Sequence, residues 1–366
     1  MDRDSQSFYD VHRTYEDNYR QGPFGSFAQA PETGVVDRSA RPQERFLGIP
    51  LNLPFGIPAG PLLNSRFTTA AFRLGFDMAV YKTVRSHAWA CNPFPNVLAV
   101  HPASPDGMLR PGDPELDRGV LADNRFTQPL SISNSFGVPS RDPDEWQPDM
   151  RHAIEAAGPG QLLVPSFQGS RRTGMNTAGY IADHVAAARL VAETGARLME
   201  MNTSCPNEGH NRLLCNDPAL VGEIAEAVKN EIGDLPLIVK LAYMPTQEEL
   251  ERMVAQTAAR GLVQGFAAIN TISTKLVDAQ GGQALPGEGR ERSGVCGAAI
   301  RESGLDMVRR LSALRSDRHL DFVIVGVGGV ASPADYHAYR DAGADAVMSA
   351  TGAMWNPSLA RQIKSE

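Results

Sequence analysis

LDFVIVGVGGVASPADYHAYRDAGADAVMSATG, residues 320–352, reads as two strands joined by one helix. Phe322–Val325 and Ala346–Ser349 are short apolar runs, the first rich in β-branched residues. Between them, Ser332-Pro333 puts an N-cap residue before a proline at the first helical position, where the missing N–H costs no helical hydrogen bond. A strand, a helix and a second strand at this spacing are the repeating unit of a parallel α/β fold. Six further runs precede it: Phe55–Ala59, Asp77–Tyr81, Leu162–Phe167, Leu198–Met201, Leu237–Leu241 and Phe266–Ile269. Eight strands with interleaved helices predict a (β/α)8 TIM barrel rather than an open doubly wound sheet, which usually has fewer strands.

Helix punctuation agrees with this count. Thr246 with Glu249 forms a capping box, Leu250, Met253 and Val254 make an apolar face, and Gly261 can close the helix in the left-handed conformation. Asp217-Pro218 opens another helix. Three stretches lie outside the repeat. Residues 1–45 form an N-terminal extension ahead of a single barrel domain, 46–366. Arg85–Gln128, after the second strand, is too long for an ordinary connection and is expected to cross one end of the barrel. Lys275–Arg292 reads as a mobile surface loop.

The chain has 366 residues, 42% hydrophobic and 21% charged, enough to build a large core. A net charge of -7 gives no footprint for nucleic acid. No apolar stretch approaches the roughly 20 residues that span a bilayer, and the N-terminus has no secretory pattern. A cytoplasmic protein with no nucleic-acid or membrane partner is expected. The four cysteines, Cys91, Cys205, Cys215 and Cys296, contain no C-x-x-C pair, and the eight histidines no H-x-H or H-E-x-x-H pattern, so no metal site is expected.

A (β/α)8 barrel carries its active site at the C-terminal ends of the strands. Those positions hold Ala59-Gly60, Lys82-Thr83, Asn202 to Asn207, Lys240, Asn270-Thr271, Gly328-Gly329 and Ala350-Thr351, and Asn134 can reach them from the long excursion. Gly326-Val327-Gly328-Gly329 lets backbone N–H groups approach an anion, and Ala350-Thr351-Gly352 ends the next strand; a tight turn alone is the plainer alternative. In Asn202-Thr203-Ser204-Cys205-Pro206-Asn207 a thiol stands between carboxamides, suited to proton exchange with a flat heterocycle. The other three cysteines lack such polar company and read as packing residues. His87 and His210 stand near the rim and read as loop residues. Lys82 and Lys240 end apolar runs, where a lysine needs negative charge nearby, from a reduced flavin or a substrate carboxylate. A Schiff-base lyase acting on a phosphorylated substrate would use the same lysines, with a depressed pKa.

Together these motifs resemble the dihydroorotate dehydrogenase family, in its soluble class 1 branch, from about Leu47 to Pro357. The carriers are LNLPFGIPAG (51–60), YKT (81–83), SISNSFGVP (131–139), NTSCPN (202–207), VKL (239–241), INT (269–271), SGVCGAAIR (293–301) and GVGGV (326–330). The resemblance implies FMN-dependent oxidation of dihydroorotate, or a closely related dihydropyrimidine, to orotate, with Cys205 as base and Lys82 beside flavin and substrate. It implies a substrate site of Lys82, Asn134, Ser135, Phe136, Gly137, Val138, Asn202, Asn207, Asn270 and Thr271. FMN would meet Ala59, Gly60, Lys82, Thr83, Asn202, Lys240, Ile269, Gly297, Gly328, Gly329, Ala350 and Thr351. It further implies a soluble, fumarate-like electron acceptor and a homodimer. Two departures stand out: Asn96 replaces the arginine of the family loop in Cys91-Asn92-Pro93-Phe94-Pro95-Asn96, and Phe136 stands where methionine is usual. They leave the flavin chemistry in place and leave open an FMN oxidoreductase for another cyclic amide; a non-enzymatic flavin- or nucleotide-binding barrel is a separate alternative.

Overall fold

The eight expected runs are parallel strands of one closed barrel in the computed structural model, which describes residues 7–30, 44–204 and 213–366. They are β1 (Phe55–Ile57), β2 (Met78–Val84), β3 (Leu162–Phe167), β4 (Met199–Asn202), β5 (Leu237–Leu241), β6 (Gly265–Ala268), β7 (Val323–Val327) and β8 (Ala346–Met348). Each pairs with its sequence neighbour, and β8 closes on β1 with Val347 beside Phe55. Gly56 is needed there, because a Cβ would lie 2.1 Å from the Met78 carbonyl oxygen.

Alternation along the strands separates two apolar shells. Met78, Val80, Leu162, Val164 and Ile238 pack inside the barrel with Phe46, Ile49 and Leu51 of a short hairpin that precedes β1. Ala79, Tyr81, Leu163, Met199, Met201 and Val239 belong to the larger outer cluster with the helices. The same period of two puts Lys82, Glu200, Asn202 and Lys240 on the inner face at the C-terminal ends of β2, β4 and β5.

The helices that follow the barrel strands in turn are α1 (Ser65–Arg73), α2 (Pro143–Glu155), α3 (Thr177–Ala192), α4 (Pro218–Ile232), α5 (Gln247–Gln256), α6 (Arg301–Asp317), α7 (Pro333–Asp341) and α8 (Thr351–Trp355). Asp217 and Ser332 cap α4 and α7 as expected, and the Thr246–Glu249 capping box is formed. Gly261, at φ +74°, closes a 3-10 turn at Ala258–Arg260 instead of α5 itself, which stops at Gln256.

The excursion after β2 does cross the barrel end, and it does not do so alone. Ala99–His101, Val120–Asp123 and Ser131–Asn134 join Ile272–Val277 and Arg292–Gly297 in a closed five-stranded sheet. This corrects the expectation of a mobile loop at Lys275–Arg292. Lys275 and Arg292 are direct partners in an antiparallel pair, and Arg290 between them is 6% exposed. Alternation in Ile272–Val277 buries Ile272, Thr274 and Leu276, a pattern that the surrounding glycines and charges mask in the sequence. At the N-terminus, Phe8, Tyr9, Val11, Tyr15 and Phe27 are buried in the main core, with the Phe8 and Phe27 rings 4.1 Å apart.

Candidate active site

Between the strand ends and the five-stranded sheet lies a cavity of about 350 Å³. One part of its wall is glycine backbone. Gly328 and Gly329 follow β7 at φ +133° and +69°, conformations that L side chains rarely adopt. Ala350, Thr351 and Gly352 come alongside from the start of α8. A Cβ at Gly329 would lie 2.6 Å from Cβ of Arg301 and 3.1 Å from its backbone nitrogen, so glycine also lets β7 meet α6 closely. Near β1, a Cβ on Gly60 would meet no protein atom within 4 Å, which leaves open volume for a bound group.

The inner face supplies charge. Lys240 and Glu200 are 4% and 2% exposed. Burial pushes the Lys240 ammonium pKa down and the Glu200 carboxyl pKa up, and their mutual attraction opposes both shifts. Ser166 opposes the upward shift of the Glu200 carboxyl, and Glu200 Oε1 has no hydrogen-bond partner among the described residues. Lys82, 7% exposed, lines the cavity at the end of β2, beside Thr83, whose Oγ1 is 2.9 Å from Ser166 Oγ.

The carboxamides are held in definite orientations. Asn202 donates from Nδ2 to Gln168 Oε1 at 2.6 Å and accepts at Oδ1 from the Ser204 hydroxyl at 3.1 Å. Asn270 donates to the Ser204 carbonyl and hydroxyl at 3.0 and 2.9 Å. Both asparagines therefore grip the residue that leads into 205–212. Cys205 and Asn207, and with them His210, lie outside the described residues.

Of the remaining expected residues, Ala59, Asn134, Phe136, Val138, Thr271 and Gly297 also line the cavity. Ser135, Gly137 and Ile269 stand behind its wall. Ser135 is fully buried and bonded through its side chain to Arg290 at 3.0 Å. Gly137, at φ +76°, packs on Asn92, where a Cβ would come within 2.8 Å of Oδ1. Ile269 is buried, with its N–H on the Val327 carbonyl at 2.8 Å.

The 91–96 loop is held by an arginine from the Lys275–Arg292 stretch. Arg290 donates to the carbonyls of Pro93, Pro95 and Ser135 at 2.8, 3.0 and 3.1 Å, while Asn96 donates to those of Asn92, Pro93 and Ser135. These bonds lace the loop to the segment that carries Asn134 and Phe136.

Glu200, Tyr9, Tyr15 and Cys296 are among the wall residues to which the sequence reading gives no role. Glu200 had a signal, since a carboxylate two residues before Asn202 within an apolar run shares its face. Tyr9 and Tyr15 come from the N-terminal extension, which has no barrel periodicity to place them. Cys296, whose sequence neighbours predict a packing residue, lines the cavity. Thr351 Oγ1 donates to its sulfur at 3.5 Å, and burial pushes the thiol up to about 11, so it is a protonated thiol at neutral pH. Cys215 is a packing residue, fully buried. His87 bonds Ser86 and Arg172 in a loop and does not line the cavity. Among the described residues, no group of three or more His, Cys, Asp or Glu could hold a metal.

The arrangement combines backbone suited to a phosphate, two lysines suited to anionic groups, and oriented carboxamides suited to the edge of a planar ring. The family model described as dihydroorotate dehydrogenase matches residues 125–366. The chain is 35% identical to dihydroorotate dehydrogenase of Dictyostelium discoideum over 366 residues, 97% of this chain and 96% of that one. It is 30% identical over 207 residues to the putative dihydroorotate dehydrogenase A (fumarate) of Solibacter usitatus, 56% of this chain and 64% of the relative. Among solved structures, dihydroorotate dehydrogenase of Eimeria tenella with ferulenol superposes with a TM-score of 0.69 at 17% identity, covering 93% of this chain and 87% of that one, a likeness of fold.

Proposed function

We infer the chemistry from one premise: the chain belongs to the dihydroorotate dehydrogenase family. It is an oxidoreductase of CH–CH groups from a family of flavoproteins. We propose that it binds FMN and oxidises dihydroorotate to orotate. The observation that carries this reading is the single cavity in which glycine turns and Thr351 stand in one wall with Lys82, Lys240, Asn202 and Asn270. The open volume beside Gly60 and the unpartnered Glu200 Oε1 fit a bound polar ring system. The phosphate would rest on Gly328, Gly329 and Thr351, and the ring near Lys82, Lys240 and Asn202.

FMN, when bound, supplies the acceptor for the hydride that leaves one substrate carbon. The Cys205 thiolate takes the proton from the neighbouring carbon, which a carbonyl acidifies, and the C=C bond of orotate forms between the two. Asn134, Asn270 and Thr271 hold the ring edge, and Lys82 faces the substrate carboxylate. Asn202 and Asn270, through Ser204, orient the chain that enters the Cys205 segment. Burial of the Lys240 ammonium favours the lyase alternative, but Glu200 beside it favours the charged form, and the family is one of dehydrogenases.

We further propose residues 46–366 as one FMN-binding unit after an extension, 1–45, in a cytoplasmic homodimer that uses a soluble, fumarate-like acceptor. No helix among the described residues is long and apolar enough to cross a membrane. The test is anaerobic stopped flow on purified protein. Dihydroorotate should bleach a bound FMN, and Cys205→Ala should retain FMN but slow its reduction by about two to four orders of magnitude. Folded, colourless protein that takes up no FMN would overturn the reading, and an Ala variant at the wild-type rate would remove Cys205 from the role of base.

A further inference from the structure

Tyr9 precedes the barrel by more than forty residues, is 3% exposed, and lines the cavity. Its hydroxyl has no hydrogen-bond partner among the described residues. A buried hydroxyl left unpaired carries a free-energy cost that a ligand with an acceptor oxygen would remove.

The position of Tyr9 is fixed from both sides. The Phe8 N–H donates to the Met354 carbonyl at 3.2 Å, and the Phe8 carbonyl accepts from Phe24 at 2.9 Å. On the other side, the Asp10 N–H donates to Asn18 Oδ1 at 2.8 Å and Asn18 Nδ2 returns a bond to the Asp10 carbonyl at 2.9 Å, with Asn18 fully buried. The Tyr9 ring meets Phe136 edge-on at 5.6 Å, and Tyr15 meets the same ring at 6.2 Å. Cys91 is a neighbour of Tyr9, and Lys82 is a neighbour of Cys91. These neighbours belong to the 91–96 loop, the end of β2 and the Asn134–Val138 segment, so Tyr9 stands among the residues assigned to substrate. Burial pushes its phenol pKa far above the ordinary value, and it remains a neutral donor at neutral pH.

We propose that the Tyr9 hydroxyl donates a hydrogen bond to an oxygen of the bound dihydropyrimidine carboxylate, which makes the N-terminal segment a determinant of specificity for the reaction proposed above. It acts by binding and moves no proton in the reaction.

Tyr9→Phe keeps the ring and its contacts and removes one oxygen. In the FMN-loaded full chain, its Kd for orotate, read from the flavin absorbance, should rise roughly tenfold to a hundredfold, the effect of one hydrogen bond to a charged ligand. KM for dihydroorotate should rise in parallel, while flavin reduction at saturation stays within about twofold. FMN content should not change, and the melting temperature of the ligand-free protein should hold or rise, because an unpaired hydroxyl is gone. A wild-type affinity for orotate would overturn the proposal. A fall in FMN content would overturn it by assigning the hydroxyl to the flavin, and a lower melting temperature without ligand would do so by showing a partner within the fold. If wild-type protein ignores both orotate and dihydroorotate, the proposed function falls too; if it responds and Tyr9→Phe responds equally, only the role of Tyr9 falls.

Discussion

Lys240→Met tests whether the charge at the centre of the cavity is one coupled pair. Glu200 and Lys240 are at least nine-tenths buried, so solvent does little to screen their attraction. Glu200 and Lys240 attract one another without a direct salt bridge, so stranding the carboxylate costs at most the about 3–5 kcal/mol of breaking a buried ion pair. At about 2.1 cal/mol/K of unfolding entropy per residue, 366 residues give about 0.8 kcal/mol/K, so the melting temperature should drop by up to about 4–6 °C. The double variant Lys240→Met, Glu200→Gln removes the stranded charge and should recover at least half of that loss. pH gives a second reading. With the lysine gone, Glu200 keeps a raised pKa in the native state, so the native state binds more protons than the unfolded chain above about pH 4.5 and stability falls as pH rises. The deficit of the single variant should therefore shrink as pH is lowered from 7.5 toward 5. The assay is a set of calorimetric melts at one scan rate, on protein stripped of flavin so that ligand linkage does not enter. A double variant as unstable as the single one, or a deficit independent of pH, would refute the coupling.

Two further outcomes are expected. His184 is fully buried with Nδ1 on the Tyr180 carbonyl at 3.0 Å, and burial pushes its imidazole down to about 4. The unfolded chain binds that proton near pH 6.5, so up to about 3 kcal/mol of stability is lost as pH falls from about 6.5 to 4; His184→Leu should flatten that part of the melting curve against pH, and an unchanged slope would exclude His184 as its origin. Arg290→Ala should weaken orotate binding tenfold or more with FMN retained, since the Pro95 carbonyl loses its donor and those of Pro93 and Ser135, which keep Asn96, each lose one of theirs; Arg290→Lys should not rescue it, lacking the planar fork. Equal loss of FMN and orotate in a titration would show a general unfolding instead.

The sequence by itself determined the barrel, because each strand carries its own local signature. A β-branched run of four to six residues, a proline after an N-cap, and a glycine turn need no distant partner to be legible, and Ser332-Pro333 and Thr246–Glu249 do in three dimensions what they announce in one. Lys82, Asn202 and Lys240 were legible for the same reason, as polar residues ending apolar strands of known topology. What only the tertiary structure decided depends on pairs far apart in the chain. Arg290 and the Pro93 carbonyl are separated by 197 residues, and no periodicity links them. The hairpin ends at Lys275 and Arg292 looked like loop until a sheet formed from two separate excursions gave them partners. Tyr9 belongs with these, since its place in the cavity wall is set by the packing of Phe8 and Phe27 and by the bonds of Asn18, and its neighbours in sequence say nothing about what it faces. Local free energies are written in short segments of the chain; which side chains share a cavity is fixed only when loop closure brings those segments together.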